Sequence, residues 1–413
     1  MTMIGFSPFY IRPATSNDTR FVARAILEAV GVPSIGESML ESQRVMCARE
    51  DVLYSWRNTR LLECDGKVAG SLTSYDARHY RRMKAVTFPL IREMCGKDFT
   101  DMPDEASAGE YYLDSLYVSP EFRHRGIGSA LLRDGIEQAR RLRLPRVSLI
   151  VERDHHDAQR LYHSLGFEKI DRIHAFQGDY IKMSISLNYN PLLEVCAASV
   201  NSAFTAERAG APRIELCQRL DLGGLTPDRQ DIARCVSELS LQTFVLIRPR
   251  GGNFCYSPEE FSTIMDDIRY CQSAGAAGVV VGFLNEDGSV QEEQCRRAVE
   301  AAYPMQVTFH RAFDRCRHWP SALEQIIECG FNRILTSGQK ATAMEGCDTL
   351  REIQRQSNGR IIILAGSGVN AANAQKIMQT SGVTELHGSC KRNGYESDPN
   401  EIQLLLKQLV QNP

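Results

Sequence analysis

Short β-branched runs alternate with helical stretches throughout the second half of the chain, and this alternation restricts the fold more than any other feature. Eight such runs follow one another from Leu192 to the C-terminus. Strands joined by crossover helices form right-handed βαβ units and a parallel sheet. Eight units in about 222 residues (413 − 191) are close to a compact (β/α)8 TIM-type barrel, which typically has about 250 residues. The predicted strands are 192–199, 213–217, 243–249, 278–284, 306–313, 333–338, 361–368 and 385–390.

The first half of the chain has a less regular order of candidate strands and helices, with a basic turn near its middle. The pattern changes at Asn188-Tyr189-Asn190-Pro191. A chain of 413 residues also exceeds what one hydrophobic core usually organises. The sequence therefore predicts two α/β domains, residues 1–188 and residues 189–413.

Composition narrows the classes of function. A net charge of −3 predicts no general attraction to nucleic acid or to anionic membranes. No stretch is apolar for long enough to span a bilayer, and the first residues lack the basic start and apolar run of a signal peptide. The 13 cysteines are scattered and never spaced as C-x-x-C. These features predict a cytoplasmic protein with reduced thiols, most of them in the core.

A basic, glycine-containing bend follows a predicted strand in the first half. The strand is 111–118 (YYLDSLYV), and Arg123-His124-Arg125-Gly126-Ile127-Gly128-Ser129 begins an amphipathic helix after it. The amides of a first helical turn have no partner inside the helix, and the helix dipole adds partial positive charge there. The two glycines let a ligand approach the backbone closely. We expect the bend to bind a diphosphate; the alternative is a basic turn that only caps the helix.

A second strand and helix follow this bend. The strand is 146–151 (RVSLIV), and the helix contains the pattern A-x-x-L-Y-x-x-x-G-F at 158–167. Together with the bend, this series resembles the GNAT acetyltransferase family across residues 9–187. The resemblance implies an α/β fold with a mixed sheet, acetyl-CoA as the acetyl donor and a small-molecule amine as the acceptor.

The GNAT resemblance also implies how acetyl-CoA binds. The bend 123–129 would hold the pyrophosphate, and the pantetheine arm would enter a gap where the strand 111–118 splays from the strand 146–151. A strand amide between Leu116 and Val118 would polarise the thioester carbonyl. The chain departs from the family pattern at Asp154-His155-His156, where asparagine is common in the family.

The same resemblance implies the groups that move protons. Tyr162 matches the tyrosine that protonates the departing thiolate in many family members; its alternative role is packing. Glu110 and Asp114, on or beside the central strand, are the candidate bases for the amine. For either carboxylate taken singly, a solvated surface group is the favoured explanation.

Polar residues lie near the C-terminal ends of the predicted barrel strands, the end at which active sites of this fold lie. Residues two apart on a strand share a face, and charges on a buried strand are costly unless they are paired. The pairs are Glu194 and Cys196, Glu215 and Cys217, Arg248 and Arg250, Thr308 and His310, and Glu385 and His387. We expect a ligand-binding mouth; the alternative is an internal salt-bridge network.

Several segments of the second half closely resemble the CutC family, which is named for copper homeostasis. They are RIELC, IRPRGGNFCY, TFHRAFD, RILTSG and ELHGS, and the resemblance covers residues 192–413. It implies a barrel that self-associates as a homo-oligomer and a link to copper. Cys196 and Cys217 are the thiols placed for Cu(I), since soft thiolates suit this ion; otherwise they are small apolar core residues.

Glycines after the last two predicted strands indicate a different ligand for the barrel. The segment 365–370 contains Gly366 and Gly368, in a position where such barrels commonly bind phosphate. Arg248 and Arg250 add positive charge. The groups available for proton transfer are His310, Glu194 and Asp314. A phosphorylated or anionic metabolite is therefore a candidate ligand, and tight packing is the alternative role of the glycines.

Three functions follow from these observations. The first is acetyl transfer from acetyl-CoA to an amine by the first domain. The second is a copper-binding protein in which the acyltransferase domain is accessory. The third is a barrel enzyme that acts on an anionic metabolite.

Overall fold

The computed structural model describes residues 9–391, 394 and 396–410. The chain divides into two compact units, Met1–Asn188 and Tyr189–Pro413. Among the described residues, every helix is too short or too polar to serve as a transmembrane span.

The first unit is built on a seven-stranded sheet in the order β1-β2-β3-β4-β5-β7-β6. β4 and β5 pair in parallel, and the other neighbouring strands pair antiparallel. The sheet is therefore mixed, which confirms the expected fold class. The strands are β1 (Tyr10–Pro13), β2 (Thr59–Cys64), β3 (Lys67–Asp76), β4 (Glu110–Val118), β5 (Arg146–Glu152), β6 (Glu168–Ala175) and β7 (Gly178–Ser186).

Five α-helices accompany this sheet in the described part of the unit. They are α1 (Thr19–Ala29), α2 (Glu37–Cys47), α3 (Tyr80–Cys95), α4 (Ile127–Arg141) and α5 (His156–Ser164). The predicted apolar face of α4 is confirmed, because Ile127, Leu131, Leu132, Ile136 and Ala139 are all buried. Gly135 lets this face lie close to the sheet, since a Cβ there would be 2.8 Å from Leu113 Cδ2.

The parallel strands β4 and β5 separate part of the way along their length. Their pairing runs only from Glu110 opposite Arg146 to Tyr112 opposite Ser148. β4 nevertheless continues to Val118, and β5 continues to Glu152. A gap therefore opens between the two strands, and the predicted splay is confirmed.

The second unit is a closed barrel of eight parallel strands, with β15 beside β8. This observation confirms the predicted (β/α)8 architecture. The strands are β8 (Leu192–Ala197), β9 (Arg213–Leu216), β10 (Gln242–Leu246), β11 (Gly278–Val281), β12 (Gln306–Phe309), β13 (Arg333–Thr336), β14 (Ile362–Ala365) and β15 (Glu385–Gly388). The helices are α6 (Val200–Arg208), α7 (Arg229–Glu238), α8 (Pro258–Ala274), α9 (Glu292–Ala302), α10 (Trp319–Glu328), α11 (Cys347–Ser357), α12 (Ala374–Ser381) and α13 (Pro399–Val410).

Every barrel strand ends earlier than its sequence predicts. β10 ends at Leu246, so Arg248 and Arg250 belong to the loop that follows it. β12 ends at Phe309, and His310 caps the short 3-10 helix Arg311–Arg315. The side chains of Arg248 and His310 form hydrogen bonds with the backbone of these loops. The alternation of faces therefore does not apply to the Arg248 and Arg250 pair.

A buried network of ion pairs crosses the barrel interior. Arg213 Nε donates to Glu194 Oε2 at 2.6 Å, and Arg213 also pairs with Glu385. Arg333 Nε donates to Glu385 Oε2 at 2.9 Å. The guanidinium groups of both arginines lie over the ring of Phe244, about 5 Å from its centroid. An internal salt-bridge network is therefore present, and Glu194 belongs to it.

Candidate functional site

The basic bend of the first unit is open to solvent at the start of α4. His124 and Gly126 have φ of 62° and 81°, and a Cβ on Gly126 would meet nothing within 4 Å. The first hydrogen bond of the helix runs from Ala130 N–H to Gly126 C=O. No side chain of the described residues caps this helix start. The amides before Ala130 therefore remain available to an anion.

Apolar side chains anchor this bend and leave its charged groups outside. Ile127 is buried, whereas Arg123, His124 and Arg125 are exposed. Arg123 Nε donates to the carbonyl oxygen of Val118 at 3.2 Å, which ties the bend to the end of β4. The other members of the predicted pyrophosphate site, Gly128 and Ser129, are partly exposed in the first turn of α4.

The gap between β4 and β5 begins beside this bend. Ser119 N–H donates to Ala69 O at 2.9 Å across the β3–β4 pair. Successive amides of a strand point to opposite sides. The N–H groups of Leu116 and Val118 therefore point away from β3, toward the gap. A Cβ on Gly128 would be 3.7 Å from Leu116 Cδ2, so the start of α4 lies against this stretch of β4.

Tyr162 lies on α5, next to the bend. Cδ2 of the preceding residue, Leu161, lies 3.9 Å from the position that a Cβ on Gly128 would occupy. The ring of Tyr162 meets that of Phe167 edge-on, with centroids 6.1 Å apart. Burial raises the pKa of Tyr162 to about 12, so its hydroxyl stays protonated at neutral pH.

Asp114 lies at an irregularity in the central strand. The β3–β4 register shifts between Thr73 and Ser74, and Asp114 has no opposite residue there. Its carboxylate accepts hydrogen bonds from Tyr75 Oη at 2.6 Å and Ser115 Oγ at 2.7 Å. Burial raises the pKa of Asp114 above its usual value. Such bulges often lie next to active sites, where they redirect a side chain.

Glu105 is a buried carboxylate that sequence reasoning missed. It accepts hydrogen bonds from Tyr112 Oη at 2.7 Å and Tyr80 Oη at 3.2 Å. Burial, followed by the nearby charge of Asp114, raises the pKa of Glu105 to about 7. It lies in the segment between α3 and β4, which carries no motif, so the sequence gives no signal for it.

Glu110 is already engaged by neighbouring side chains. Lys182 Nζ lies 2.9 Å from Glu110 Oε2, and Ser148 Oγ donates to the same oxygen at 2.6 Å. Ser107 Oγ donates to Oε1 at 3.1 Å. Of the two predicted bases, Asp114 is therefore the one without an ion-pair partner among these contacts.

A cavity of about 290 Å³ opens at the C-terminal end of the barrel strands. Its walls come from strand ends and from the loops that follow β9, β10, β12, β14 and β15. The predicted site residues that line it are Cys196, Glu215, Arg248, His310, Gly368 and His387. Cys217 adjoins this cavity, with its Sγ 3.7 Å from Cys196 Sγ.

Three possible metal ligands meet in this cavity. Cys196, Glu215 and His387 each offer one atom, and these atoms lie within 4.8 Å of one another. His387 Nδ1 is hydrogen-bonded to Glu194 Oε1 at 2.9 Å. The hydrogen bond with Cys217, followed by burial, raises the pKa of Cys196 well above its usual value.

Buried groups around the cavity have shifted pKa values. Burial raises the pKa of Glu215 to about 7. Burial, followed by the charge of Arg248, lowers the pKa of His310 to about 3. Glu215 Oε2 and His310 Nε2 are buried and have no hydrogen-bond partner among the described residues. The cavity therefore presents polar atoms that a ligand can satisfy.

Other predicted barrel residues hold the loops together. Arg248 donates through both terminal nitrogens to carbonyls of Leu222, Gly223, Gly224 and Gly252. Arg250 pairs with Glu260 at 2.5 Å and does not line the 290 Å³ cavity. Asp314 accepts hydrogen bonds from Ser337 and Arg311, and lines a neighbouring cavity of about 710 Å³.

The two glycines after β14 differ in their surroundings. A Cβ on Gly366 would be 2.6 Å from Leu335 Cδ1 and 3.3 Å from His387 Cβ, so glycine is required there for packing. Gly368 has φ of 73° and lines the cavity. The predicted anion site is thus reduced to the part of this loop around Gly368.

The two units match different protein families. The model of the CutC family matches residues 191–392, and the model of the acetyltransferase (GNAT) family matches residues 37–167. A CutC family protein of Pasteurella multocida is 42% identical over 199 residues, which cover 48% of this chain and 82% of that protein. The copper homeostasis protein cutC homolog of Homo sapiens is 43% identical over 200 residues, covering 48% and 73%.

A solved structure, the putative copper homeostasis protein CutC from Streptococcus agalactiae, is 30% identical with a TM-score of 0.47; the match covers 48% of this chain and 98% of that one. The bacterial relative is matched over most of its own length at 42% identity. The chain therefore belongs to the CutC family through its second unit, and its first unit matches the model of the acetyltransferase (GNAT) family over residues 37–167.

Proposed function

We propose that the first unit transfers the acetyl group of acetyl-CoA to an amine. The observation that carries this proposal is the separation of β4 from β5 directly beside an exposed bend with free amides. The bend suits the pyrophosphate, and the gap suits the pantetheine arm. The thioester carbonyl then lies along the part of β4 where the amides of Leu116 and Val118 point outward.

Two side chains complete the proposed reaction. Asp114 accepts a proton from the ammonium group, and the free amine attacks the thioester carbonyl. The strand amides stabilise the oxyanion that forms. Tyr162 donates its proton to the sulfur as the carbon–sulfur bond breaks, and the tyrosinate then takes the extra proton of the attacking nitrogen, which leaves a neutral amide and the CoA thiol. The raised pKa of Tyr162 keeps its proton in place until the thiolate leaves.

Calorimetric titration of the full chain with acetyl-CoA tests the binding step. We expect micromolar affinity or tighter, and we expect Gly126→Glu to abolish it, because a carboxylate would occupy the diphosphate position. Gly96→Glu is the matched control: Gly96 has φ of 73° and open surroundings, as Gly126 has. Wild-type affinity in Gly126→Glu would remove the proposal.

A second candidate function concerns the barrel. Cys196 and Cys217 place their sulfurs 3.7 Å apart, close enough for both to contact one Cu(I) ion. This distance supports a role for the second unit in handling copper as cargo. Competition for Cu(I) with a chelator tests it: Cys196→Ser and Cys217→Ser should each weaken binding, and unchanged affinity in both would refute it.

A further inference from the structure

We propose that Cys196, Glu215 and His387 form a binding site for a divalent metal ion of the zinc type. This site goes beyond acetyl transfer and differs from the pair of thiols considered for Cu(I). It uses one sulfur, one carboxylate oxygen and one ring nitrogen, all within 4.8 Å of one another. These are the three ligand types that Zn²⁺ takes in proteins.

The three residues lie on neighbouring strands of the closed barrel. Cys196 on β8 is directly opposite Glu215 on β9, and His387 on β15 lies on the other side of β8. All three side chains are buried. Ligands on adjacent strands are held more precisely than ligands on loops, as a site of defined geometry requires.

The surroundings of His387 match those of a metal-binding histidine. Its Nδ1 is hydrogen-bonded to Glu194 Oε1 at 2.9 Å, and Glu194 is held in turn by Arg213 at 2.6 Å. Nε2 is the ring nitrogen that would bind the ion, and the ion would replace the hydrogen bond that His387 makes with the Cys196 thiol. Histidines that bind metals almost always have such a carboxylate or carbonyl partner on their other nitrogen.

Glu215 supplies an independent indication of a missing ligand. The residue is 5% exposed, and its Oε2 is buried with no hydrogen-bond partner among the described residues. A buried carboxylate oxygen without a partner costs free energy. A cation shared with Cys196 and His387 would remove this cost.

The site has three protein ligands and faces the cavity. All three residues line the 290 Å³ space at the barrel mouth. Structural zinc sites are closed by four protein ligands, whereas catalytic sites keep one position for water or substrate. The geometry therefore indicates the open type, with its fourth position directed into the cavity.

Metal binding to the tag-free, chelator-treated full chain tests this site. We expect one Zn²⁺ per chain by calorimetry and metal analysis. Zn²⁺ affinity should fall in each of three variants, Glu215→Gln, His387→Gln and Cys196→Ser. The loss should exceed the roughly 10–100-fold loss of affinity that follows when a residue hydrogen-bonded to a metal ligand is replaced. Co²⁺ should give a thiolate charge-transfer absorption that Cys196→Ser removes. Thermal unfolding without metal verifies that each variant folds.

Two further cysteine variants separate this site from the Cu(I) pair. Cys217→Ser should retain Zn²⁺ and the Co²⁺ absorption while weakening Cu(I). Cys235→Ser removes an equally buried thiol on α7 and should change neither metal. The proposal is overturned if Zn²⁺ fails to bind at one equivalent, if binding survives Glu215→Gln and His387→Gln, or if Cys217→Ser abolishes it.

Discussion

Arg213 and Glu194 form an ion pair inside the barrel, with Nε 2.6 Å from Oε2 and neither side chain exposed. Glu385 accepts from the same guanidinium group. Two carboxylates therefore share the charge of Arg213, while Arg333 also pairs with Glu385 and Glu194 also positions His387. The Arg213–Glu194 ion pair therefore contributes both to the stability of the barrel and to the geometry of the candidate metal site.

Replacing Arg213 with methionine should destabilise the second unit strongly. Removal of one partner from a buried ion pair leaves uncompensated charge and costs about 3–5 kcal/mol. Urea unfolding can be followed through Trp319 in a Trp56→Phe background, because these are the 2 tryptophans of the chain. Arg219→Met, which removes an exposed pair with Asp221, is the control and should destabilise the unit far less, because solvent screens this pair. Equal effects of the two changes would contradict the prediction.

The stability of the first unit should fall as pH rises from about 4.5 toward 7. Burial raises the pKa of Glu105 to about 7 from an ordinary value of 4.5. The folded unit then binds this proton more tightly than the unfolded chain, so the stability that Glu105 contributes is fully present below pH 4.5 and is lost as pH rises through 7. A pKa difference of this size between the folded and unfolded states corresponds to roughly 3 kcal/mol in the free energy of unfolding.

The Glu105→Gln variant tests that assignment. It should flatten the pH dependence, whereas Glu121→Gln, at an exposed position, should leave it unchanged. Urea midpoints between pH 5 and 7.5, read from Trp56 fluorescence in a Trp319→Phe background, provide the measurement. If the stability of the protein with Glu105 intact rises over this pH range, ionisation of Glu105 in the folded state has little effect on the free energy of unfolding.

The sequence predicts the barrel strands well but misplaces their ends. Runs such as 278–281 (GVVV) are locally β-branched and apolar, so their strand character does not depend on distant partners. Where a strand ends depends on the loops. His310 follows a buried run, but its Nδ1 accepts from Ala312 N–H and turns the chain into a 3-10 helix.

The two candidate sites differ in how much of each can be predicted from the sequence. The bend at 123–129 is contiguous, so its residues predict an anion site directly. The cluster of Cys196, Glu215 and His387 depends on barrel closure, which brings β15 beside β8. Sequence reasoning placed each residue at the mouth but grouped Cys196 with Cys217, because the register that joins three strands is not a local property.

Replacing Tyr162 with phenylalanine should lower kcat for acetyl transfer by about 10²–10⁴-fold, the usual contribution of a general acid. The ring remains, so packing against Phe167 and the KM for acetyl-CoA should change little. Release of free thiol with a panel of amines gives the rate. Tyr10→Phe, at a hydroxyl that is exposed on β1, is the control. A kcat within twofold of the parent would assign Tyr162 to packing alone.

The roles of the two carboxylates beside the central strand can be separated by paired variants. Asp114→Asn should lower kcat/KM by about 10²–10⁴-fold. It should also remove the acidic limb from the plot of kcat/KM against pH. Burial raises the pKa of Asp114, so that limb should lie above the ordinary range of an aspartate. Glu110→Gln should keep both kcat and the limb, because its carboxylate is committed to Lys182 and Ser148.

The cost of Glu110→Gln should appear in stability instead. Lys182 would lose its carboxylate partner at a position where its side chain is 15% exposed, and a partly buried charge without a partner destabilises the folded state. Urea unfolding at Trp56 should detect this loss, whereas Asp114→Asn, which keeps an acceptor for Tyr75, should change stability less. If Glu110→Gln removes the acidic limb and Asp114→Asn preserves it, the base is Glu110, and the proton path runs along the paired part of β4 and β5.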